Sequence, residues 1–342
     1  MPPKGGRKKR ALLIGINYTG SKAELSGCHA DVENVARFLS HHGYPQGPRH
    51  RLVLRDDLDG RYNPTGVNML AAMDWLVREP NTTCFFHYSG HGGQVRDVDD
   101  GRPTGMDDTL VPVDHERQGQ IDADMLHEHL VTNLARGSTL FAVLDCCHSG
   151  SALELPFVYR SDDNGNISVI DVFRDGAKLV SGAGALMRGG LSMKKVGQAK
   201  DLIADGTKFF QAFGGGGEGG ARSRGLGGLL GGGDDDDGDG DGDGYLHHDT
   251  SFAEHEERTD EKKRVSMFSG CADHQTSADA KIGGRATGAM SWAFLKTIRE
   301  DHTPTYEETL LVTRKLLRQS NYQQVPQLSM GVKMNLNERL MI

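Results

Sequence analysis

The sequence contains little cysteine and no long apolar run, and both absences narrow the class of protein. Its 342 residues include five cysteines, a low and odd number for a chain of this length. This usage argues against a disulfide framework and for a reducing compartment, so we expect the protein in the cytoplasm. No apolar stretch approaches the roughly 20 residues that cross a bilayer. We therefore expect neither a membrane-spanning segment nor a membrane partner.

The chain also lacks the basic patterning that is typical of nucleic-acid-binding proteins. Its formal net charge is −8 at pH 7, and seven of its 47 acids are concentrated in an aspartate run at residues 234–243. Without that run the chain is close to neutral, so no nucleic-acid partner is expected. Residues 1–9 contain basic residues, but no apolar run long enough to be the h-region of a signal peptide follows them, which excludes a secretory signal. We expect a disordered basic tail there; a nuclear address at Lys8–Arg10 is the less favoured interpretation.

Two apolar runs end abruptly in small and polar residues. Residues 140–150 read LFAVLDCCHSG, and residues 83–93 read TCFFHYSGHGG, with His91 between two glycines. Buried strands of a parallel sheet end in this way when they deliver polar groups to the carboxyl edge of the sheet. A nucleophilic thiol needs a base, and a histidine about 50 residues ahead of the cysteine is the caspase arrangement. His91 stands in that relation to Cys147, so the two form a candidate catalytic pair.

Strand and helix patterns alternate along the first half of the chain. This rhythm predicts an α/β fold with a mostly parallel central sheet flanked by helices on both faces. An acidic loop is expected between residues 94 and 109, followed by a short strand or hairpin arm at 108–114. The predicted strands are 10–17, 50–54, 83–88 and the run from 140, and the predicted helices are 31–42, 63–78 and 122–134.

The second half of the chain divides into a spacer and a short ordered part. Residues 206–263 are expected to form a flexible linker. Their central stretch, residues 214–244, is rich in Gly and Asp, and a segment of this composition buries too little apolar surface to fold. The linker joins a large part, residues 10–205, to a small part, residues 264–342, that completes the same domain. In the small part we predict strands at 264–271 and 324–331 and helices at 285–300 and 305–319.

The adjacent cysteines Cys146 and Cys147 compete for the role of nucleophile. Side chains alternate faces along a strand, so only one of the two can point towards His91. Periodicity alone does not decide which one it is. The main-chain N–H groups of Cys147 and Gly92 are candidate oxyanion donors, since acyl transfer needs donors at the developing negative charge.

Three motifs together resemble a type I metacaspase. They are Tyr88-Ser-Gly-His-Gly-Gly93, Asp145-Cys-Cys-His-Ser-Gly150 and the stretch MFSGCADHQTSADA at residues 267–280. The resemblance implies a caspase-hemoglobinase-like fold and a monomer. It also implies a cysteine endopeptidase that cleaves protein or peptide substrates after Arg or Lys through a thioacyl intermediate. In this family the nucleophile is the second residue after the aspartate, which selects Cys147 with His91 as its partner.

The resemblance also implies a pocket for the basic substrate side chain. Its residues are Asp31, Ser89 and Asp145, and a cation-binding pocket needs such acids. Asp145 stands two residues before Cys147, so strand alternation places both side chains on one face. The alternative for Asp145 is a structural one, in which its carboxylate caps the next helix.

Two further expectations follow from the resemblance. Calcium at millimolar levels is the expected cofactor, with Asp107, Asp122, Asp124 and Glu154 as ligands, because sites with few charged oxygens bind calcium weakly. Self-cleavage is expected just before the acidic spacer. The candidate positions are Lys194, Lys195 and Lys200, with Arg222 and Arg224 as alternatives. The competing function is a non-proteolytic scaffold of the same fold, or a protein that handles aggregates.

Overall fold

An eight-stranded sheet forms the centre of the computed structural model. The structure describes residues 7–96, 106–146, 149–162, 165–171, 263–270, 279–282, 285–301, 303–322 and 324–342. The strands of the central sheet are β1 (Lys8–Gly15), β2 (Arg51–Arg55), β3 (Thr82–Ser89), β7 (Thr139–Asp145), β8 (Phe157–Ser161), β9 (Ile167–Asp171), β10 (Arg264–Ser269) and β13 (Gln327–Met330).

The order of these strands is β2-β1-β3-β7-β10-β13-β8-β9. The first five are parallel to one another, and the last three join by antiparallel pairing. The mostly parallel central sheet predicted from the sequence is therefore confirmed. β10 and β13 come from the small part of the chain and β8 and β9 from the large part, so one sheet contains both parts.

Helices cover both faces of this sheet, as predicted. On one face lie α1 (Cys28–His41), α5 (Ala289–Glu300) and α6 (Tyr306–Gln319). Their apolar side chains pack on Phe85, Phe141 and Phe268 of the central strands. On the other face lie α2 (Gly66–Val77) and α4 (Ala123–His127), which pack on Phe86, Ala142 and Met267. Neighbouring residues such as Phe85 and Phe86 thus serve opposite cores, because side chains alternate along a strand.

Three smaller elements lie beside the carboxyl edge. A three-stranded sheet contains β4 (Gly92–Arg96), β5 (Met106–Leu110) and β6 (Ile121–Asp122). The helix α3 (His115–Gln118) follows β5. A hairpin of β11 (Asp279–Ile282) and β12 (Arg285–Gly288) leads directly into α5.

Several predicted boundaries are wrong. The first strand begins at Lys8, inside the predicted tail, because Lys8 already pairs with Thr82. The acidic loop is bounded by the paired strands β4 and β5. The helix expected from Arg285 begins at Ala289, since Arg285–Gly288 is hairpin strand β12. The helix predicted at 122–134 is α4 followed by a π-helical turn over Glu128–Thr132.

Other expectations fall outside the residues that the structure describes. These are the flexible linker, apart from Lys263 at its end, most of the basic tail and the self-cleavage positions. Within the described part of the chain, no helix is both long enough and apolar enough to span a bilayer.

Candidate active site

The parallel register of β3 and β7 brings together the strand ends that precede the two candidate catalytic residues. Ser89 pairs with Asp145 at the carboxyl ends of these strands. His91 follows Ser89 by two residues, and Cys147 follows Asp145 by two residues. Cys147 and the adjacent His148 lie outside the described residues, so the nucleophile itself stays a prediction. The strands that lead to Cys147 and to His91, β7 and β3, are neighbours in the sheet.

The imidazole of His91 is held in one orientation by a main-chain carbonyl. Its Nε2 atom lies 2.7 Å from the oxygen of Ala23. A carbonyl oxygen can only accept a hydrogen bond, so the neutral ring must carry its proton on Nε2. Nδ1 is then the nitrogen with a free lone pair. This tautomer suits a general base that takes a proton through Nδ1.

Two buried tyrosines hold the main chain of His91 from both sides. The Tyr18 hydroxyl accepts the His91 N–H at 3.0 Å and donates to the Val111 oxygen at 2.6 Å. The Tyr88 hydroxyl donates to the His91 oxygen at 2.7 Å. Burial raises the pKa of both phenols above the ordinary value, so they stay protonated and can donate. Sequence reasoning missed this pair.

Glycine at position 90 makes the tyrosine contacts possible. A Cβ atom there would lie 2.7 Å from the Tyr88 hydroxyl and 3.2 Å from the Tyr18 hydroxyl. Both distances are shorter than ordinary contacts, so a larger residue would displace the phenols that hold His91. Gly92, the predicted oxyanion donor, begins β4 opposite Leu110 and is partly exposed. Its role in binding an oxyanion remains a prediction.

Cys146 is a core residue. It is 1% exposed and belongs to the apolar cluster that includes Tyr88 and Leu144. Asp145, the preceding residue, instead contacts α5 on the opposite face of the sheet. Because buried thiols that water and substrate do not reach act as small apolar residues, Cys146 is a poor nucleophile. Strand alternation therefore favours Cys147, in agreement with the choice made from the resemblance.

The carboxylate of Asp31 is the centre of the predicted pocket. It is 1% exposed on the first turn of α1. It accepts hydrogen bonds from the Ser89 hydroxyl at 2.8 Å and the Gly288 N–H at 2.8 Å, and a third from the Thr287 hydroxyl. These donors are neutral, so they orient the carboxylate and leave its negative charge in place. The sequence predicted Asp31 and Ser89, but it gave no signal for Thr287 or Gly288.

Asp145 faces the same small space and also caps a helix. Its Oδ2 atom accepts the Ser291 N–H at 2.7 Å, in the first turn of α5. The helix that it caps, α5, is the next helix in the described part of the chain, although Ser291 follows Asp145 by 146 residues. A Cβ atom on Gly288 would lie 2.1 Å from Asp145 Oδ2 and 2.9 Å from Asp31 Oδ2. The two carboxylates therefore both lie close to Gly288, and the capping role of Asp145 is compatible with the predicted pocket.

Two buried carboxylates in one place repel each other, and the titration of Asp31 reflects this. Burial, and after it the charge of Asp145, raise the pKa of Asp31 from its ordinary 3.8 to about 7. The N-terminus of α5 offsets part of this cost, because helix N-termini favour negative charge. A cation placed between the carboxylates would relieve the remaining repulsion. The site is therefore suited to a guanidinium or ammonium group.

The predicted calcium ligands lie on neighbouring segments but do not form a ligand cluster. Asp107 is 2% exposed on β5, and Asp122 accepts the Met125 N–H at 3.0 Å as the N-cap of α4. Asp124 is exposed, and Glu154 has a left-handed φ of 49°. Among the residues that the structure describes, no three His, Cys, Asp or Glu side chains are arranged to hold a metal ion. These four side chains as described therefore do not make a preformed metal site.

A neighbouring acid has a clear structural role that sequence reasoning missed. Asp108 accepts the Ser151 N–H at 3.0 Å, the Ser151 hydroxyl at 2.6 Å and the Gln94 amide at 3.1 Å. It is 2% exposed. Asp108 thus ties β4, which begins just after His91, to the chain that follows Cys147.

The mostly parallel sheet with helices on both faces, His91 after the end of β3 and the motif Asp145-Cys-Cys-His-Ser-Gly150 in the sequence are those of a cysteine peptidase of the caspase-like clan. Residues 9–156 match the family model described as "Metacaspase, peptidase C14 domain". The chain is 39% identical to Metacaspase-1 of Mycosarcoma maydis over 94% of its length. It belongs to the metacaspase family.

Other relatives and a solved structure agree with this assignment. The chain is 37% identical to Metacaspase-1 of Debaryomyces hansenii and 36% identical to Metacaspase-1A of Aspergillus fumigatus, over 96% of its length in each case. It spans 70%, 66% and 70% of the lengths of the three relatives. A crystal structure of a protein from Geobacter sulfurreducens matches 97% of both chains with a TM-score of 0.51 and 19% identity, which supports the fold alone.

Proposed function

We propose that this chain is a calcium-dependent cysteine endopeptidase that cleaves protein substrates after Arg or Lys. The observation that carries the proposal is the pair of buried carboxylates, Asp31 and Asp145, close to Gly288 at the carboxyl edge of the sheet. Burial of two acids is costly unless a ligand of opposite charge uses them. An Arg or Lys side chain of the substrate is that ligand.

The acylation step uses Cys147 and His91. The Cys147 thiol gives its proton to His91 Nδ1, and the sulfur attacks the carbonyl carbon of the scissile bond. The resulting oxyanion accepts hydrogen bonds from the N–H groups of Gly92 and Cys147. When the tetrahedral intermediate collapses, the C–N bond breaks and the imidazolium protonates the leaving amine. The product is a thioacyl enzyme and a free amino terminus.

Deacylation repeats these steps with water as the nucleophile. His91 Nδ1 takes a proton from the water as the oxygen attacks the thioester carbon. The C–S bond then breaks, and the proton on His91 returns to the Cys147 sulfur. The hydrogen bond from His91 Nε2 to the Ala23 oxygen supports both halves, because it fixes the ring while Nδ1 gains and loses its proton.

Calcium dependence and self-processing belong to the same proposal. Acids on β5, at the start of α4 and after residue 150 supply the carboxylates for a weak calcium site. These segments must move closer together to bind the ion, because their acids do not form a cluster in the structure as described. We place self-cleavage at Lys194, Lys195 or Lys200, since these residues match the proposed specificity. We also propose that the protein acts as a monomer in the cytoplasm.

A fluorogenic peptide assay tests the central claim. We expect turnover of a peptide with Arg at the cleavage position, stimulation by calcium, and complete loss in Cys147→Ala. A matched peptide with Asp at that position should not be cleaved, because its carboxylate would meet two others. Absence of turnover at every calcium concentration would support the alternative of a non-proteolytic scaffold.

A further inference from the structure

A histidine lies directly beneath the pocket and takes no part in the proposed chemistry. His87 is on β3, two residues before Ser89, and its side chain is fully buried. Strand alternation places it on the same face as Ser89 and Phe85, towards α1 and α5. Its Nε2 atom lies 2.9 Å from the Ser291 hydroxyl. This contact joins the centre of the large part to the first turn of α5.

A buried histidine at this position is costly. Its Nδ1 atom has no hydrogen-bond partner among the residues that the structure describes. Burial lowers its pKa to about 3, so the ring stays neutral at every physiological pH. An apolar side chain of similar volume would avoid the cost of an unpaired buried nitrogen. The hydrogen bond to Ser291 is therefore what distinguishes histidine from an apolar residue at this position.

Ser291 connects this histidine to the pocket. While its hydroxyl contacts His87, its N–H donates to Asp145 Oδ2 at 2.7 Å. The Gly288 N–H, at the beginning of the same turn, donates to Asp31 Oδ2 at 2.8 Å. The first turn of α5 thus contacts both carboxylates, and a shift of this turn would move their hydrogen-bond donors together.

We propose that His87 is a positioning residue for substrate specificity: through Ser291 it fixes the first turn of α5 and so the spacing of the Asp31 and Asp145 carboxylates. This inference rests on the proposed cleavage after basic residues and names what sets the preference between them. A neutral ring suits the role because a cation there would neutralise Asp145 and compete with the substrate.

The spacing of the two carboxylates matters more for Arg than for Lys. A guanidinium is a planar fork whose hydrogen bonds need acceptors at fixed positions, whereas an ammonium is a compact charge that tolerates displacement. Loosening the first turn of α5 should therefore weaken Arg recognition more than Lys recognition. General destabilisation of the fold would lower both equally.

The test compares kcat and KM for two peptides that differ only in Arg or Lys at the cleavage position. His87→Phe keeps the volume and removes the hydrogen bond, and His87→Gln keeps an amide donor. We expect His87→Phe to raise KM for the Arg peptide about tenfold, the loss of one hydrogen bond. The kcat should change little and the Arg-to-Lys ratio of kcat/KM should fall. His87→Gln should recover part of that ratio.

Ser291→Ala provides the second arm of the experiment. It should lower the same ratio, and the double variant with His87→Phe should lose no more than either single variant. The matched control is Thr297→Val, which removes another buried hydroxyl from α5 that donates to the Ala293 oxygen. It should leave the ratio unchanged. If His87→Phe does not fold, His87→Gln and Ser291→Ala still give the answer.

The possible results separate the two proposals. An unchanged Arg-to-Lys ratio in folded His87 and Ser291 variants, or losses that simply add, would overturn the role of His87 and leave the proposed function intact. A wild-type chain that cleaves neither peptide would refute the proposed function and this role with it.

Discussion

The Nε2 atom of His91 lies 2.7 Å from the main-chain oxygen of Ala23. Ala23 belongs to the loop between β1 and α1, and the same loop supplies Tyr18, whose hydroxyl accepts the His91 N–H. The Asp56 carboxylate accepts the main-chain N–H groups on both sides of Tyr18, at 2.9 and 3.1 Å. One loop thus orients both the ring and the main chain of the proposed base. Changes in this loop should therefore lower the rate of the chemical step more than they weaken substrate binding.

Removal of the Tyr18 hydroxyl tests this relationship. In Tyr18→Phe the His91 N–H loses its acceptor, so the imidazole should sample orientations in which Nδ1 no longer faces the nucleophile. We expect kcat to fall by about tenfold, in line with one lost hydrogen bond, with KM for an Arg peptide unchanged. Steady-state kinetics at saturating calcium measure both constants.

Tyr44→Phe is the matched control for that experiment. Tyr44 is 2% exposed, and its hydroxyl has no hydrogen-bond partner among the described residues. Its removal should leave kcat and KM unchanged and should not lower the thermal midpoint. An equal loss of kcat in both tyrosine variants would point to a general packing effect and would contradict the role assigned to Tyr18.

Gly288 offers a direct test of the pocket. In Gly288→Ala the new methyl group would approach Asp145 Oδ2 within 2.1 Å and Asp31 Oδ2 within 2.9 Å, so it must fill or distort the space between the carboxylates. We expect kcat/KM for the Arg peptide to fall by roughly 100-fold or more, as when one partner of a buried charge pair is lost. Cys147 should still react with a small uncharged alkylating reagent. Loss of that reactivity as well would mean that the damage extends beyond the pocket.

The strand ends that position the site were predictable from the sequence. The runs of β3 and β7 are buried along their whole length, and glycines and polar residues stop them abruptly. Because this pattern is local, it located His91 and Asp145 without knowledge of the fold. The alternation of faces also separated Asp145 correctly from Cys146.

The groups that support the site were not predictable in the same way. Tyr18, Thr287 and Ser291 are ordinary in their local sequence and acquire a role only through contacts with residues distant in the chain. The edge strand β9 was missed because it exposes Val169 and Ile170, by 45% and 38%, and so lacks a buried pattern. The hairpin β11–β12 was missed although its Gly-Gly pair at 283–284 is a turn signal.

Calcium binding is tested on the inactive variant Cys147→Ala, which cannot cut itself. We expect calorimetry to show weak binding, with a dissociation constant of about 10⁻⁴ to 10⁻³ M. Asp107→Asn should abolish it, because Asp107 is the most buried of the proposed ligands. Asp301→Asn, at the far end of α5, is the control and should bind as before. Deletion of the acidic residues 214–244 should also leave binding unchanged; loss on that deletion would assign calcium to the spacer.

Self-processing is tested by mass spectrometry of calcium-treated protein. We expect new carboxyl ends at Lys194, Lys195 or Lys200, with Arg222 and Arg224 as the alternative positions. Cys147→Ala should remain intact under the same conditions, which excludes a contaminating protease. A variant with glutamine at all three lysines should be cut at least tenfold more slowly. Ends outside residues 194–225 would show that another segment is the target.

The titration of Asp31 predicts how the pocket responds to pH. Its pKa is raised to about 7, so the carboxylate takes up a proton as the pH falls through neutrality. The pocket then loses one of its two charges, and binding of an Arg side chain should weaken. Calorimetry of a small guanidinium compound with Cys147→Ala should show affinity that falls by roughly tenfold per pH unit below 7, the limit for one coupled proton. In Asp31→Asn binding should be weaker and nearly independent of pH.

The same shift affects stability, with a defined sign. Between pH 3.8 and about 7 the folded state holds a proton on Asp31 that the unfolded state releases. The free energy of unfolding should therefore decrease as the pH rises through this window. Urea denaturation at pH 5 and pH 8 measures the difference, which should be larger in the wild type than in Asp31→Asn. Equal changes in the two proteins would mean that Asp31 titrates near its ordinary value and that Asp145 does not repel it.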